Sequence, residues 1–152
     1  MLFFYPDFSN GAAYEPSGMR ETRIITDLLA IKKGDRAADL GSGDGRIVIA
    51  MAKKGALTFG LEKDEKLVEL SRKKIATAGL CQTAFIYQTN FWQENLSTFS
   101  KIAIFQYYTI MAKLEKKLQM ELMPGVFVVS HHWQFPHWRP VRQILDIYLY
   151  QK

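Results

Sequence analysis

The stretch Asp39-Leu40-Gly41-Ser42-Gly43-Asp44-Gly45 constrains this chain more than any other. It follows Arg36 to Leu40, predicted as a short strand. It precedes Arg46 to Lys53, where Ile47, Val48, Ala50 and Met51 give a helical pattern. Glycines in such a turn permit positive φ and let the backbone approach a ligand closely. In a doubly wound sheet the turn lies at the carboxyl ends of the strands, beside the switch point where ligands bind. The spacing is G-x-G-x-G, not the G-x-G-x-x-G of dinucleotide sites, and no Gly-Lys-Ser/Thr marks a phosphate loop. Asp39 and Asp44 would repel a phosphate. They favour a cationic ligand end, an ammonium or a sulfonium.

The remaining segments alternate as such a sheet requires. Arg20 to Ile31 is predicted helical from Ile24-Ile25 and Leu28-Leu29, with Gly34 as its stop. Leu57 to Leu61 reads as a second strand closing on Glu62, placed to accept both hydroxyls of a ribose. Asp64 is an N-cap for a helix whose apolar face is read as Leu67, Leu70, Ile75 and Ala78. Thr83 to Tyr87 and Lys101 to Phe105 are the third and fourth strands. Asn90 stands between them where a side chain can meet an adenine edge, with Phe91 or Trp92 over the ring. Met111, Leu114, Leu118 and Leu122 mark another helix, stopped by Pro124-Gly125. Gly125 to Ser130 is a continuous apolar run, as in a strand buried on both faces. The tail from Trp138 to Lys152 holds one or two strands with no helix between them. The expectation is one domain over 1–152, with an irregular arm at 1–18. Its class is α/β, a doubly wound, mostly parallel sheet with an antiparallel edge.

The glycine loop, the acid at Glu62 and Asn90-Phe91 together resemble the motif of the seven-strand, S-adenosylmethionine-dependent methyltransferases. The resemblance implies a seven-strand, Rossmann-like sheet and S-adenosyl-L-methionine as cofactor. Its holders would be Asp39, Gly41, Ser42, Gly43, Asp44, Gly45, Glu62, Asn90 and Phe91. Further segments narrow the match: Tyr14-Glu15-Pro16-Ser17, Asn90-Phe91-Trp92, the run Gly125 to Ser130, and Phe135-Pro136-His137-Trp138-Arg139-Pro140. Over about residues 12–150 this succession resembles the small lysine methyltransferases of the ATP synthase c-subunit and the adenine nucleotide translocase, with their prokaryotic relatives. A protein substrate carrying a lysine is implied, a membrane protein among the candidates. Asn90 stands where that family usually has Asp. Ahead of Tyr14, where mitochondrial relatives carry a hydrophobic segment, this chain has Met1 to Phe8.

Methyl transfer is an in-line displacement, so alignment and exclusion of water matter most. A lysine acceptor, with a reference pKa of about 10.4, must also lose a proton, and an aromatic slot helps by desolvation and cation–π contact. Candidate catalytic residues are Tyr14 from the arm, Gln106 and Tyr107 after the fourth strand, and His131 after the fifth. His131-His132 lacks a third ligand at suitable spacing, so no metal is expected. DNA amino-methyltransferases carry Asn/Asp-Pro-Pro-Tyr after strand four. Phe105-Gln106-Tyr107-Tyr108 stands there instead.

Composition closes off other classes. With 152 residues, 48% apolar and 23% charged, the chain can build a real core and is not disordered. A lone cysteine, Cys81, excludes an internal disulfide and suggests a reducing cytoplasm, with peripheral membrane association as an option. No apolar run reaches the roughly 18–20 residues of a membrane span. The +5 charge admits an RNA methyltransferase as the alternative, although the lysines fall largely on polar helix faces and no separate RNA-binding module is evident. A cofactor-binding protein without catalysis is the third reading.

Overall fold

A computed structural model describes residues 18–152. Gly18, the last residue of the proposed arm, is the N-cap of α1 (Met19–Leu28); Tyr14 and the rest of the arm, 1–17, lie outside the described residues. The order continues β1 (Arg36–Leu40), α2 (Arg46–Lys53), β2 (Leu57–Glu62), α3 (Glu65–Thr77) and β3 (Ala84–Gln88). A short 3₁₀ turn, Phe91–Gln93, precedes β4 (Lys101–Ile104), α4 (Tyr108–Glu121), β5 (Phe127–His131), β6 (Arg142–Ile144) and β7 (Ile147–Gln151).

The strands form one seven-stranded sheet in the order β3-β2-β1-β4-β5-β7-β6. β3 to β5 across that order are parallel, whereas β7 pairs antiparallel with both β5 and β6. The expected α/β class with an antiparallel edge holds. Alternation along each strand explains why both faces are covered. Ala38, Leu40, Ile102, Ile104, Val128 and Tyr150 join α4's Met111, Leu114 and Leu118 in one core. Ala37, Ala103, Val129 and Leu149 turn the other way, onto Ile25 and Leu28 of α1 and Ile47 and Met51 of α2. α3 packs beside α2 through Val68 and Ile75, against Ile86 of β3.

The face of α3 differs from the sequence expectation. Its buried residues are Val68, Ser71 and Ile75, while Leu70 is exposed, as is Ala78 beyond its end. The reason is steric. Gly45 has φ +82°, and a Cβ there would lie 2.8 Å from the Ser71 Cβ, so α3 must present a small residue to the glycine loop. Asp64 does cap this helix, its side chain accepting from the Leu67 N–H at 3.1 Å. On the opposite face Trp138 packs with Phe135 and Tyr150, covering β7, as a core aromatic would. Most lysines are exposed; buried Lys101 and half-buried Lys117 and Lys152 are the exceptions.

Candidate functional site: a donor crevice at the switch point

The chain leaves β1 toward β2 on one side and enters β4 on the other, which opens a crevice at the carboxyl ends of β1 and β4. The glycine loop forms its floor. Gly41 and Ser42 N–H groups donate to the Leu61 carbonyl at 2.8 and 3.3 Å, tying the loop to the end of β2. Gly41, Gly43 and Gly45 all have positive φ. At Gly41 the need is acute, since a Cβ would sit 2.2 Å from Gln106 Nε2. That amide donates to the Leu40 carbonyl at 2.9 Å, so Gln106 clamps the end of β1 against the start of α4.

Glu62 is 8% exposed and held at both oxygens. Oε2 accepts from the Gly43 N–H at 2.8 Å and Oε1 from the Asp64 N–H at 2.9 Å. Each carboxylate oxygen can accept again, so a vicinal diol would find two fixed acceptors. Asp39 is 5% exposed. Burial first, then the charges of Glu62 and Asp44, hold its carboxyl well above the ordinary carboxylate range. A cation brought beside it would relieve that cost. Asp44 serves the protein itself: its carboxylate is bracketed by Arg46, at 2.9 Å, and by Lys74 of α3. Ser42 is buried, with Oγ under the loop next to Gly60. A diol acceptor, a buried acid seeking a cation and a closely approachable backbone fit an adenosyl sulfonium with an amino-acid tail.

On the adenine side, Asn90 is exposed and its Oδ1 accepts from the Trp92 N–H at 3.1 Å, shaping the 3₁₀ turn. Phe91 packs against Trp92, with ring centroids 4.9 Å apart and planes tilted by 39°. Lys117 of α4 clasps this segment, donating to the Glu94 carbonyl at 2.7 Å and to Glu121, which also accepts from the Leu96 N–H.

Across the crevice, Phe105 lines the recess with Asp39, Gly41 and Ile25. His131 is buried, with its ring 4.6 Å from that of Phe105. Tyr107 is the half-buried N-cap residue of α4, and Tyr108 is 66% exposed against Trp133. Gln106, Tyr107 and His131 are thus brought to one side. Sequence reasoning misses the ion pairs on Asp44, the Lys117 clasp and Asp146, which contacts both His131 and His132. The i,i+4 Lys117–Glu121 pair is a visible signal. The other contacts join residues distant in sequence.

This sheet order, with a glycine loop after β1 and an acid ending β2, defines the S-adenosylmethionine-dependent methyltransferase fold. A crystal structure of an RNA methyltransferase from Salinibacter ruber in complex with S-adenosyl-L-homocysteine superposes with a TM-score of 0.87 at 30% identity. The match covers 90% of this chain and 93% of that one. The ANTKMT methyltransferase domain matches residues 39–142, and the chain belongs to that family. The ATP synthase c-subunit lysine N-methyltransferase of Homo sapiens is 36% identical over 127 residues, 84% of this chain and 54% of that protein. The chain spans about half the length of such relatives. A protein-lysine N-methyltransferase of Saccharolobus islandicus is 30% identical over 129 residues, with 80% of its length covered.

Proposed function

We propose that this protein transfers a methyl group from S-adenosylmethionine to the side-chain amine of a lysine in a protein substrate. The observation that carries this reading is the relative from Saccharolobus islandicus, a lysine methyltransferase matched over most of its own length. S-adenosylmethionine supplies a methyl group activated on sulfonium sulfur. Glu62 receives the ribose hydroxyls, Asp39 faces the cationic tail, and Gly41, Ser42, Gly43 and Gly45 give the backbone its close approach. Asp44 keeps the loop in shape through Arg46 and Lys74. Asn90 and Phe91 flank the adenine.

Phe105, Tyr107 and His131 wall the acceptor side; Tyr14, the remaining candidate, lies outside the described residues. Gln106 sets the distance between the two halves. A lysine entering among these rings loses hydration, which lowers its ammonium pKa and favours the attacking neutral amine. The substrate is proposed to include membrane proteins, since relatives are named as lysine methyltransferases of the ATP synthase c-subunit and of the adenine nucleotide translocase. The working compartment is proposed to be the cytoplasm, with peripheral contact to the membrane, in keeping with the exposed free thiol of Cys81.

A second reading, RNA methylation, is favoured by the name of the Salinibacter ruber structure. Incubation with methyl-labelled donor and host extract separates the two. The lysine reading expects label that survives ribonuclease and is released by protease. Label removed by ribonuclease alone would establish the second reading in its place.

A further inference from the structure

A second recess lies at the end of the strands opposite the donor crevice, below the starts of β1, β4 and β5. Its volume is about 440 Å³, within the roughly 300–1,000 Å³ of small-molecule sites. Lys101, the first residue of β4, forms part of its wall and is only 8% exposed, an unusual place for an ammonium. Its Nζ stands 4.3 Å from the centre of the Phe127 ring, and among the described residues it has no ion pair and no hydrogen-bond acceptor. Nor is Nζ sealed in the core: the enclosed side-chain atoms without a partner are on Thr22 and Ser42. Burial is the largest influence on this ammonium and lowers its pKa; Asp35 opposes the shift and the charge of Lys32 adds to it. Both of those residues are walls of the recess, so it is there that Nζ feels its charged neighbours. Asp35 is engaged locally. Its Oδ2 accepts from the Lys32 N–H at 2.9 Å and its Oδ1 from the Ser100 hydroxyl at 3.2 Å.

We propose that this recess binds a small organic phosphate, its phosphoryl dianion held by the Lys101 and Lys32 ammonium groups and its organic body laid on Met123 and Pro124. A dianion matches two cations that otherwise repel each other, and it gives the Lys101 N–H groups the acceptors they lack. The two local bonds on Asp35 hold it short of an ion pair with Lys101, which leaves the ammonium's charge for a ligand. Thr98 adds a hydroxyl on the same wall. Its oxygen accepts from Arg36 Nε at 3.3 Å, and its hydrogen is left to donate. The apolar part of the wall argues for an organic ligand. Met123 is 61% exposed and Pro124 is exposed beside it, a surface that a bare oxyanion would leave wet. Lys101 begins β4 and Phe105 follows its end, so this ligand and the methyl donor occupy opposite ends of one strand and do not compete. The assignment is independent of which acceptor the donor crevice serves.

The test is a calorimetric titration with phenyl phosphate, inorganic phosphate and benzoate, S-adenosylhomocysteine being present throughout, above about pH 7, where a phosphoryl group is a dianion. Phenyl phosphate should bind with a Kd below about 1 mM, and at least about fivefold more tightly than either of the others. Lys101→Met keeps an apolar stem over Phe127 and removes the charge; it should weaken phenyl phosphate roughly 10- to 100-fold. Lys32→Ala should weaken it roughly threefold. Donor affinity should be unchanged in both variants, which also reports correct folding. A second measurement needs no variant: saturating phenyl phosphate should protect Lys101 from acetylation by acetic anhydride several-fold, read by mass spectrometry, while exposed Lys66 reacts as before. Binding that survives Lys101→Met, or acetylation of Lys101 unchanged by the ligand, would overturn the proposal. So would benzoate or inorganic phosphate binding as tightly as phenyl phosphate, which would remove the dianion or the organic body from the account.

Discussion

The two halves of the crevice are held in different ways. On the β1–β2 side, carboxylates and backbone are locked by short hydrogen bonds: Glu62 at both oxygens, Asp44 by two cations, Gly41 onto Leu61. On the β4–β5 side the contacts run ring to ring, Phe105 on His131, His132 on Trp133 and Trp133 on Tyr108, with left-handed backbone at His132. Directional polar locks suit a ligand that is the same at every turnover. Aromatic surface with a few titratable groups suits an acceptor recognised by bulk and charge. On the proposed function, one half would bind the donor and the other handle the acceptor, a division that can be broken by substitution.

The largest effect is expected from Gly45→Val. At φ +82° and with Ser71 Cβ 2.8 Å from the new Cβ, the loop and α3 cannot both stay in place. Destabilisation of about 3 kcal/mol or more, with loss of donor binding, should appear in a thermal melt and a donor titration. Glu62→Ala follows. Loss of a charged acceptor for two hydroxyls should weaken S-adenosylhomocysteine by about 2–4 kcal/mol, some 30- to 1,000-fold, measured by calorimetry. Trp133→Ala in the other half should leave that affinity within about twofold, yet cut transfer to the acceptor roughly tenfold. If it weakened donor and acceptor alike, the division would fail.

Asp39→Asn gives the subtlest signature. Because the folded carboxyl titrates above its unfolded value of about 3.9, the native state binds protons more tightly. Wild-type stability should therefore fall as pH rises from the unfolded value through the raised folded one. Asp39→Asn should abolish that slope and raise neutral-pH stability by about 1–3 kcal/mol while weakening the donor. Melting curves across pH with and without donor check both signs.

What is legible in the sequence is local. The glycine loop, the Asp64 cap and the apolar run into β5 each announce themselves within a few residues, and the fold follows from their alternation. The face of α3 shows the limit. Leu67 and Leu70 have the right hydrophobicity, but the buried position goes to Ser71 because Gly45, distant in sequence, leaves no room for more. Asp44 has the pattern of a ligand acid, yet Lys74 reaches back from α3 to pair with it. Asp146 carries no local signal at all. Its two histidine partners become visible only when β7 lies antiparallel to β5, with His131 opposite Ile147.

The most direct test of the donor assignment is a crystal structure with S-adenosylhomocysteine bound. The account predicts both ribose hydroxyls on the Glu62 carboxylate, the amino group beside Asp39 and the sulfur directed toward Phe105 and His131. An adenosine found away from Glu62, such as in the recess by Lys101 and Ser100 at the opposite end of the strands, would contradict it.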